Sequence, residues 1–166
     1  EAVMGRGVAK WAVDNLDNRL PVKLAYINKA INSMMDRDDL APSVMSGYPR
    51  LVFPIDYYAV GFGENIREFM LLSFPVKPEF GYKKDKVGSN IVQHARYQYN
   101  YTTFVPGYHL VASKDLIKKS LEDLVKLTNS YLFHKVFVPR PGCGAGELDW
   151  EDVKPLCQKY LDDRFP

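Results

Sequence analysis

Hydrophobic positions recur along the chain with two different periods, and the changes of period divide it into elements. Val8, Trp11, Ala12 and Leu16 fall near helical spacing, which predicts a helix over 8–20 that Pro21 stops. A second helix is expected over 22–35, with Pro21 near its start and Ala25, Ile27, Ala30, Ile31 and Met34 mostly inward. The polar, turn-rich run 36–47 reads as a loop. Residues 51–60 are β-branched and aromatic and read as a strand, with Pro54 giving its start an edge or irregular character. Turn chemistry over 61–65 then leads into a nearly all-apolar run, 68–76, the pattern of a strand buried on both faces.

The stretch 78–112 is irregular and rich in Gly, Tyr and basic residues; loops of that length are usually functional or mobile. Ser113 is placed to cap a helix running to Leu132, with Ile117, Leu121, Leu124, Val125 and Leu132 as its inward stripe. A short strand over 135–138, a Gly/Pro-rich loop over 139–148 and a final helix over 149–161 complete the pattern. Asp149, with Asp152 three residues on, reads as a weak capping box, and Pro155 is expected to distort the helix beyond. Strands alternating with helices indicate an α/β fold with a largely parallel sheet.

Composition narrows the picture. The 166 residues suit one domain, 1–166, and 46% hydrophobic with 25% charged residues is ordinary for a soluble globular protein. The longest apolar stretch, 69–76, is far short of the ~20 residues needed to span a bilayer, and no secretory leader is visible, so a cytoplasmic protein with no membrane partner is expected. A net charge of +2 makes no bulk case for nucleic-acid binding. Cys143 and Cys157 are too few for a disulfide scaffold, and His94, His109 and His134 lack ligand spacing, so neither metal nor cofactor is expected. The chain opens directly on a glycine loop and closes without a strand, which suggests that the native protein extends at one or both ends.

Two glycine loops each run into a helix: Met4-Gly5-Arg6-Gly7-Val8, and Pro141-Gly142-Cys143-Gly144-Ala145-Gly146. Glycine permits close backbone approach and leaves amide protons pointing outward, and successive outward amides at a helix N-terminus suit phosphate. Neither loop has dinucleotide or P-loop spacing. By spacing alone, phosphate cradles and plain tight turns stand equally open.

The run from Pro139 through Gly142-Cys143-Gly144-Ala145-Gly146-Glu147-Leu148-Asp149-Trp150 resembles the macro-domain family that binds ADP-ribose. It is similar to the branch that holds the DNA ADP-ribosyl glycohydrolase antitoxins, a terminal ADP-ribose glycohydrolase and macro-domain proteins of phages. Val3-Met4-Gly5-Arg6-Gly7-Val8-Ala9, Ser73-Phe74-Pro75-Val76-Lys77 and Trp150-Glu151-Asp152-Val153 agree with the same family. The resemblance implies a three-layer α/β/α sandwich with a mixed central sheet, here without the family's first and last strands. It implies that Met4, Gly5, Arg6, Gly7, Val8 and Ala9 wrap the distal ribose. Pro141, Gly142, Cys143, Gly144, Ala145, Gly146, Glu147 and Leu148 would cradle the diphosphate. Lys77 falls on a Phe-Pro-x-Lys motif implicated in removing ADP-ribose. The family's ribose-contacting Asn and adenine-contacting acid would precede Glu1, and Gly146 stands where one glycohydrolase of the family has an aspartate, which leaves a mechanism relying on Lys77.

A lysine can stabilise developing anionic charge or, if desolvated, attack an anomeric carbon. Cys143 has no histidine near it in sequence and reads as a small filler; Cys157 reads as helix core, and Trp150 as packing under the loop. The insert carries Tyr82, Lys83, Lys84, Lys86, His94, Arg96, Tyr97, Tyr99, Tyr101, Phe104, Tyr108 and His109, a mixture able to contact phosphates and stack bases. Tyr97, Tyr99 and Tyr101 alternate at strand period and read as an edge strand. The expected function is a monomeric, ADP-ribose-binding hydrolase acting on an ADP-ribosylated macromolecule, nucleic acid or protein, through Lys77. The alternatives are a non-catalytic module for ADP-ribose or a related nucleotide signal, and a phosphatase of ADP-ribose 1″-phosphate.

Overall fold

A computed structural model describes residues 7–34 and 52–165, with the side chains of 28 and 31–34 left aside. The chain mixes helix and strand. Helices α1 (Gly7–Asn15) and α2 (Leu20–Met34) come first, then a hairpin of β1 (Pro54–Val60) and β2 (Arg67–Leu72). A short ladder of β3 (Phe80–Tyr82) and β4 (Phe104–Pro106) encloses a 3₁₀ turn at Gln93–Gln98. Helices α3 (Lys114–Tyr131) and α4 (Trp150–Tyr160) follow.

Both strand pairs are antiparallel, so among the described residues the parallel sheet expected from the alternating pattern is not formed. A short turn, 61–66, joins β1 to β2, and a hairpin can only be antiparallel, whereas β3 and β4 pair across the long stretch 83–103. At the first hairpin Gly61 is obligatory: φ is +118°, and a Cβ there would stand 2.2 Å from the Asn65 carbonyl oxygen. The ladder ends at Leu72, with Glu68 exposed, so the expected two-faced burial of 68–76 is not met. Beyond it the Ser73 amide still donates to the Phe53 carbonyl at 3.0 Å, and Pro75 is tied to helix α3, where the Ser120 hydroxyl donates to its carbonyl at 2.6 Å.

The first expected helix breaks before Pro21. Asp17 ends α1 and opens α2, accepting from the Arg19 amide at 2.9 Å through its side chain and from the Leu20 amide at 3.2 Å through its carbonyl. Pro21 then sits in the first turn of α2, where its missing N–H costs nothing. The buried positions are Ala12, Leu20 and Leu24, while Trp11 and Val8 are exposed. Ala30 faces solvent, contrary to expectation, and Met35 lies outside the described residues, as do 36–47.

Helix α3 forms where Ser113 was expected to cap it, the hydroxyl accepting from the Leu116 amide at 3.2 Å. Its inner stripe is Ile117, Ser120, Leu121, Leu124 and Thr128. Leu132 is not on it: as the left-handed C-cap (φ 54°) it leaves the helical face and is 78% exposed. Residues 135–138 pair in no strand; Val136 donates instead to the Arg164 carbonyl at 2.8 Å. Helix α4 starts from Asp149, whose carboxylate accepts from the Glu151 amide at 3.1 Å, and continues through Pro155.

Three apolar clusters organise these parts. Ile117, Leu121, Val153 and Cys157 join α3 to α4, with Ala112 beside them and Phe74, Val76, Cys143, Leu148 and Trp150 against their edge. Val52, Leu124 and Val136 extend that core, sharing Phe74. Ile91, Val92, Ala95, Val105 and Leu110 form a separate core inside the 78–112 segment. The tyrosines expected to alternate along a strand there do not: Gln93–Gln98 is a 3₁₀ turn, because Ala95 and Val92 are drawn inward and the intervening residues turn out to solvent. Among the described residues no helix is long and apolar enough to cross a membrane.

Candidate functional site: a glycine loop beside Lys77

The loop 141–148 is fixed by contacts that only glycine tolerates. Gly142 has φ +74°, and a Cβ there would lie 2.9 Å from Ala112 Cβ and from Ile117 Cδ1. At Gly146 a Cβ would lie 2.6 Å from the Gly142 carbonyl oxygen and 2.7 Å from Ala112 Cβ. Gly144 has open space around its Cβ position and forms the tip. The loop closes on itself through Leu148 N to Gly142 O (2.9 Å) and Glu147 N to Gly144 O (3.0 Å). Glu147 is held in the left-handed region (φ 59°), and its carboxylate accepts from the Gln93 amide at 2.8 Å. Its side chain therefore ties the loop to the 78–112 segment.

Among the described residues the amides of Gly144, Ala145 and Gly146 donate to no acceptor. Gly144 and Ala145 are exposed and Gly146 is buried behind them, so the accessible unengaged amides, on a loop pinned at both ends, are the two at the tip, a donor pair suited to an anion.

Lys77 lies across one extended segment from this loop. Ala112 and Ser113 are neighbours in the chain; Ala112 N donates to Gly146 O and Ser113 N to Val76 O, both at 2.9 Å. Val76 packs with Cys143 and Leu148 on the same α3–α4 core. The Lys77 ammonium donates to the Tyr108 carbonyl at 2.9 Å. The next residue, His109, shares a 2.5 Å hydrogen bond between its Nδ1 and the Tyr99 hydroxyl, and its ring meets those of His94 (5.7 Å) and Tyr108 (4.7 Å) edge-on. Burial pushes the Tyr99 hydroxyl pKa up. This histidine–tyrosine group escapes sequence reading because its members come together only through the turn of Gln93–Gln98 and the β3–β4 ladder. No spacing announces it.

The remaining expected site residues divide. Pro141 is buried, and Cys143 is half-buried with its thiol donating to the Pro141 carbonyl at 3.5 Å. Burial pushes the Cys143 thiol above its usual range, Arg140 opposing and Asp149 reinforcing, so it is a packing group and a poor thiolate. Cys157 is buried in the core as expected, and Trp150 packs beneath the loop with the Arg140 guanidinium 5.1 Å over its ring. Gly7, Val8 and Ala9 open α1; no hydrogen bond or shared core cluster among the described residues joins them to the 141–148 loop or to Lys77. Met4, Gly5 and Arg6 lie outside the described residues. Among the described residues no group of three or more His, Cys, Asp or Glu side chains converges on a point that a metal ion would occupy.

Comparison with protein-family models, with curated proteins and with solved structures finds no match to this chain.

Proposed function

We propose that the protein is an ADP-ribose-binding macro domain acting as an ADP-ribosyl glycohydrolase-type hydrolase, with Lys77 at the reaction centre. The observation that carries this reading is the placement of two exposed, unengaged amides, at Gly144 and Ala145, one backbone segment away from Lys77. Those amides would hold the diphosphate, whose charge strengthens each hydrogen bond. The distal ribose would then extend toward the lysine. Hydrolysis breaks the bond between the anomeric carbon and the macromolecule; water gives its hydroxyl to that carbon and its proton to the leaving group. An ammonium beside the departing atom stabilises the charge that develops there, and the fixed loop supplies orientation.

The bond from Lys77 to the Tyr108 carbonyl favours a second reading, in which the lysine is structural and the module binds ADP-ribose without turnover. Release of ADP-ribose from ADP-ribosylated DNA, RNA and protein separates the two. Under the first reading Lys77→Ala loses at least about a hundredfold in rate and keeps ADP-ribose binding. Under the second the unaltered protein releases nothing from any of the three. Release of inorganic phosphate from ADP-ribose 1″-phosphate would point to the phosphatase alternative instead.

A further inference from the structure

The 78–112 segment carries a second surface of defined chemistry. Lys83, Lys86, Arg96, Tyr97 and Asn100 border a cavity of about 360 Å³ with Val87 and Tyr99 at its wall. That volume lies in the range of small-ligand sites, about 300–1,000 Å³. Lys83 donates to the Tyr99 carbonyl at 3.3 Å and Arg96 to the Ile91 carbonyl at 3.1 Å. Both anchors are neutral, and among the described residues none of the three cations pairs with a carboxylate. The nearest acid in sequence, Asp85, has its carboxylate occupied by the Gly88 and Ser89 amides and the Ser89 hydroxyl.

Gly88 explains how two like charges come to share one wall. It is buried at φ +75°, and a Cβ there would lie 3.2 Å from Lys83 Cε and 3.5 Å from Arg96 Cγ. The two stems therefore pass on either side of a residue with no side chain. Converging cations repel, and a bound anion relieves that cost. Beside them Tyr97 stands 99% exposed, its ring in contact with water on both faces. A cationic wall flanked by a free aromatic ring is the arrangement that takes a phosphate and stacks its base.

We infer that this groove is a nucleotide-binding site, phosphate on Lys83, Lys86 and Arg96 and base on Tyr97, separate from the glycine loop. It takes either a free nucleotide or one unit of a single strand, and it does not depend on the ADP-ribose reading. The test is fluorescence anisotropy of the full chain with labelled oligothymidylate about twelve nucleotides long, beside calorimetry with ATP, repeated for Tyr97→Ala and Lys86→Ala. Both substitutions fall on exposed side chains, so the fold should be kept.

Tyr97→Ala is expected to weaken whichever probe binds about tenfold. For the strand, log K should fall with log salt at a slope of about −2 for three contacts, and Lys86→Ala should make it shallower by about 0.7. Strand binding without ATP binding assigns the site to a strand, and the reverse assigns it to a free nucleotide. The proposal is overturned if neither probe binds at about 50 mM salt, or if both variants bind as the unaltered chain does.

Discussion

The loop 141–148 and the groove of the 78–112 segment both offer hydrogen-bond donors to solvent, but they are held by opposite means. The loop presents backbone amides and is kept in place by closeness: glycines at 142 and 146 lie against Ala112 and Ile117 with no room for a methyl group. The groove presents long cationic side chains and stands on a small aliphatic core of its own, Ile91, Val92, Ala95, Val105 and Leu110. Amides on a pinned loop cannot follow a ligand, so they select one geometry. Lysine and arginine stems can adjust, and their attraction reaches further but is screened by salt. One chain thus carries a rigid set of backbone donors and an adaptable cationic surface, joined by the hydrogen bond from Gln93 to Glu147.

Steric substitutions test that contrast hardest. Gly107→Ala would place a Cβ 2.0 Å from the Pro78 carbonyl oxygen and so move backbone beneath the β3–β4 ladder; a loss of about 3 kcal/mol in chemical denaturation is expected. Gly146→Ala acts on the loop and should cost about 2 kcal/mol, whereas Gly144→Ala at the open tip should stay within about 0.5 kcal/mol. Equal losses at 144 and 146 would mean that the loop is not pinned as described. Ser120→Ala removes the anchor of the segment leading to Lys77 and is expected to cost about 1 kcal/mol.

Outside both regions, Lys23 is a cation that carboxylates already satisfy. Lys23 is paired with Asp17 and, at 2.8 Å, with Asp56, and the Tyr58 hydroxyl donates to Asp17 at 3.3 Å. The hydrogen bond from Lys23 holds the Asp17 carboxyl down to about 2. A depressed carboxyl contributes stability above its unfolded value near 4, and that contribution is lost as pH falls toward 2. Asp17→Asn should therefore lower stability at neutral pH and flatten its dependence between about pH 4 and pH 2. The smallest effect is kinetic. Because burial raises the Cys143 thiol, alkylation at neutral pH should run slower than for a free thiol and accelerate as pH climbs past its usual range.

The helices around the glycine loop were legible from sequence because their signals are local. Ser113 and Asp149 cap the helices that they precede, and Ile117, Leu121 and Leu124 fall on one face by spacing alone. Gly61 likewise marked its turn through a conformation that other residues rarely adopt. The β3–β4 pairing was not legible, since its partners lie across the stretch 83–103 and strands of three residues such as Phe80–Tyr82 carry no period to detect. Tyr97, Tyr99 and Tyr101 show what misleads: alternation fits a strand, yet the aliphatic residues at Val92 and Ala95 decide the local backbone and make a 3₁₀ turn. The cationic groove was visible only as composition, because Gly88 brings Lys83 and Arg96 together from 13 positions apart in the sequence.

Calorimetric titration tests the proposed binding of ADP-ribose at the loop beside Lys77. The full chain should bind ADP-ribose in the micromolar range and more tightly than ADP, AMP or NAD, with Tyr97→Ala leaving that affinity unchanged. A folded chain that releases no heat with ADP-ribose, or that binds ADP and AMP equally well, would contradict it.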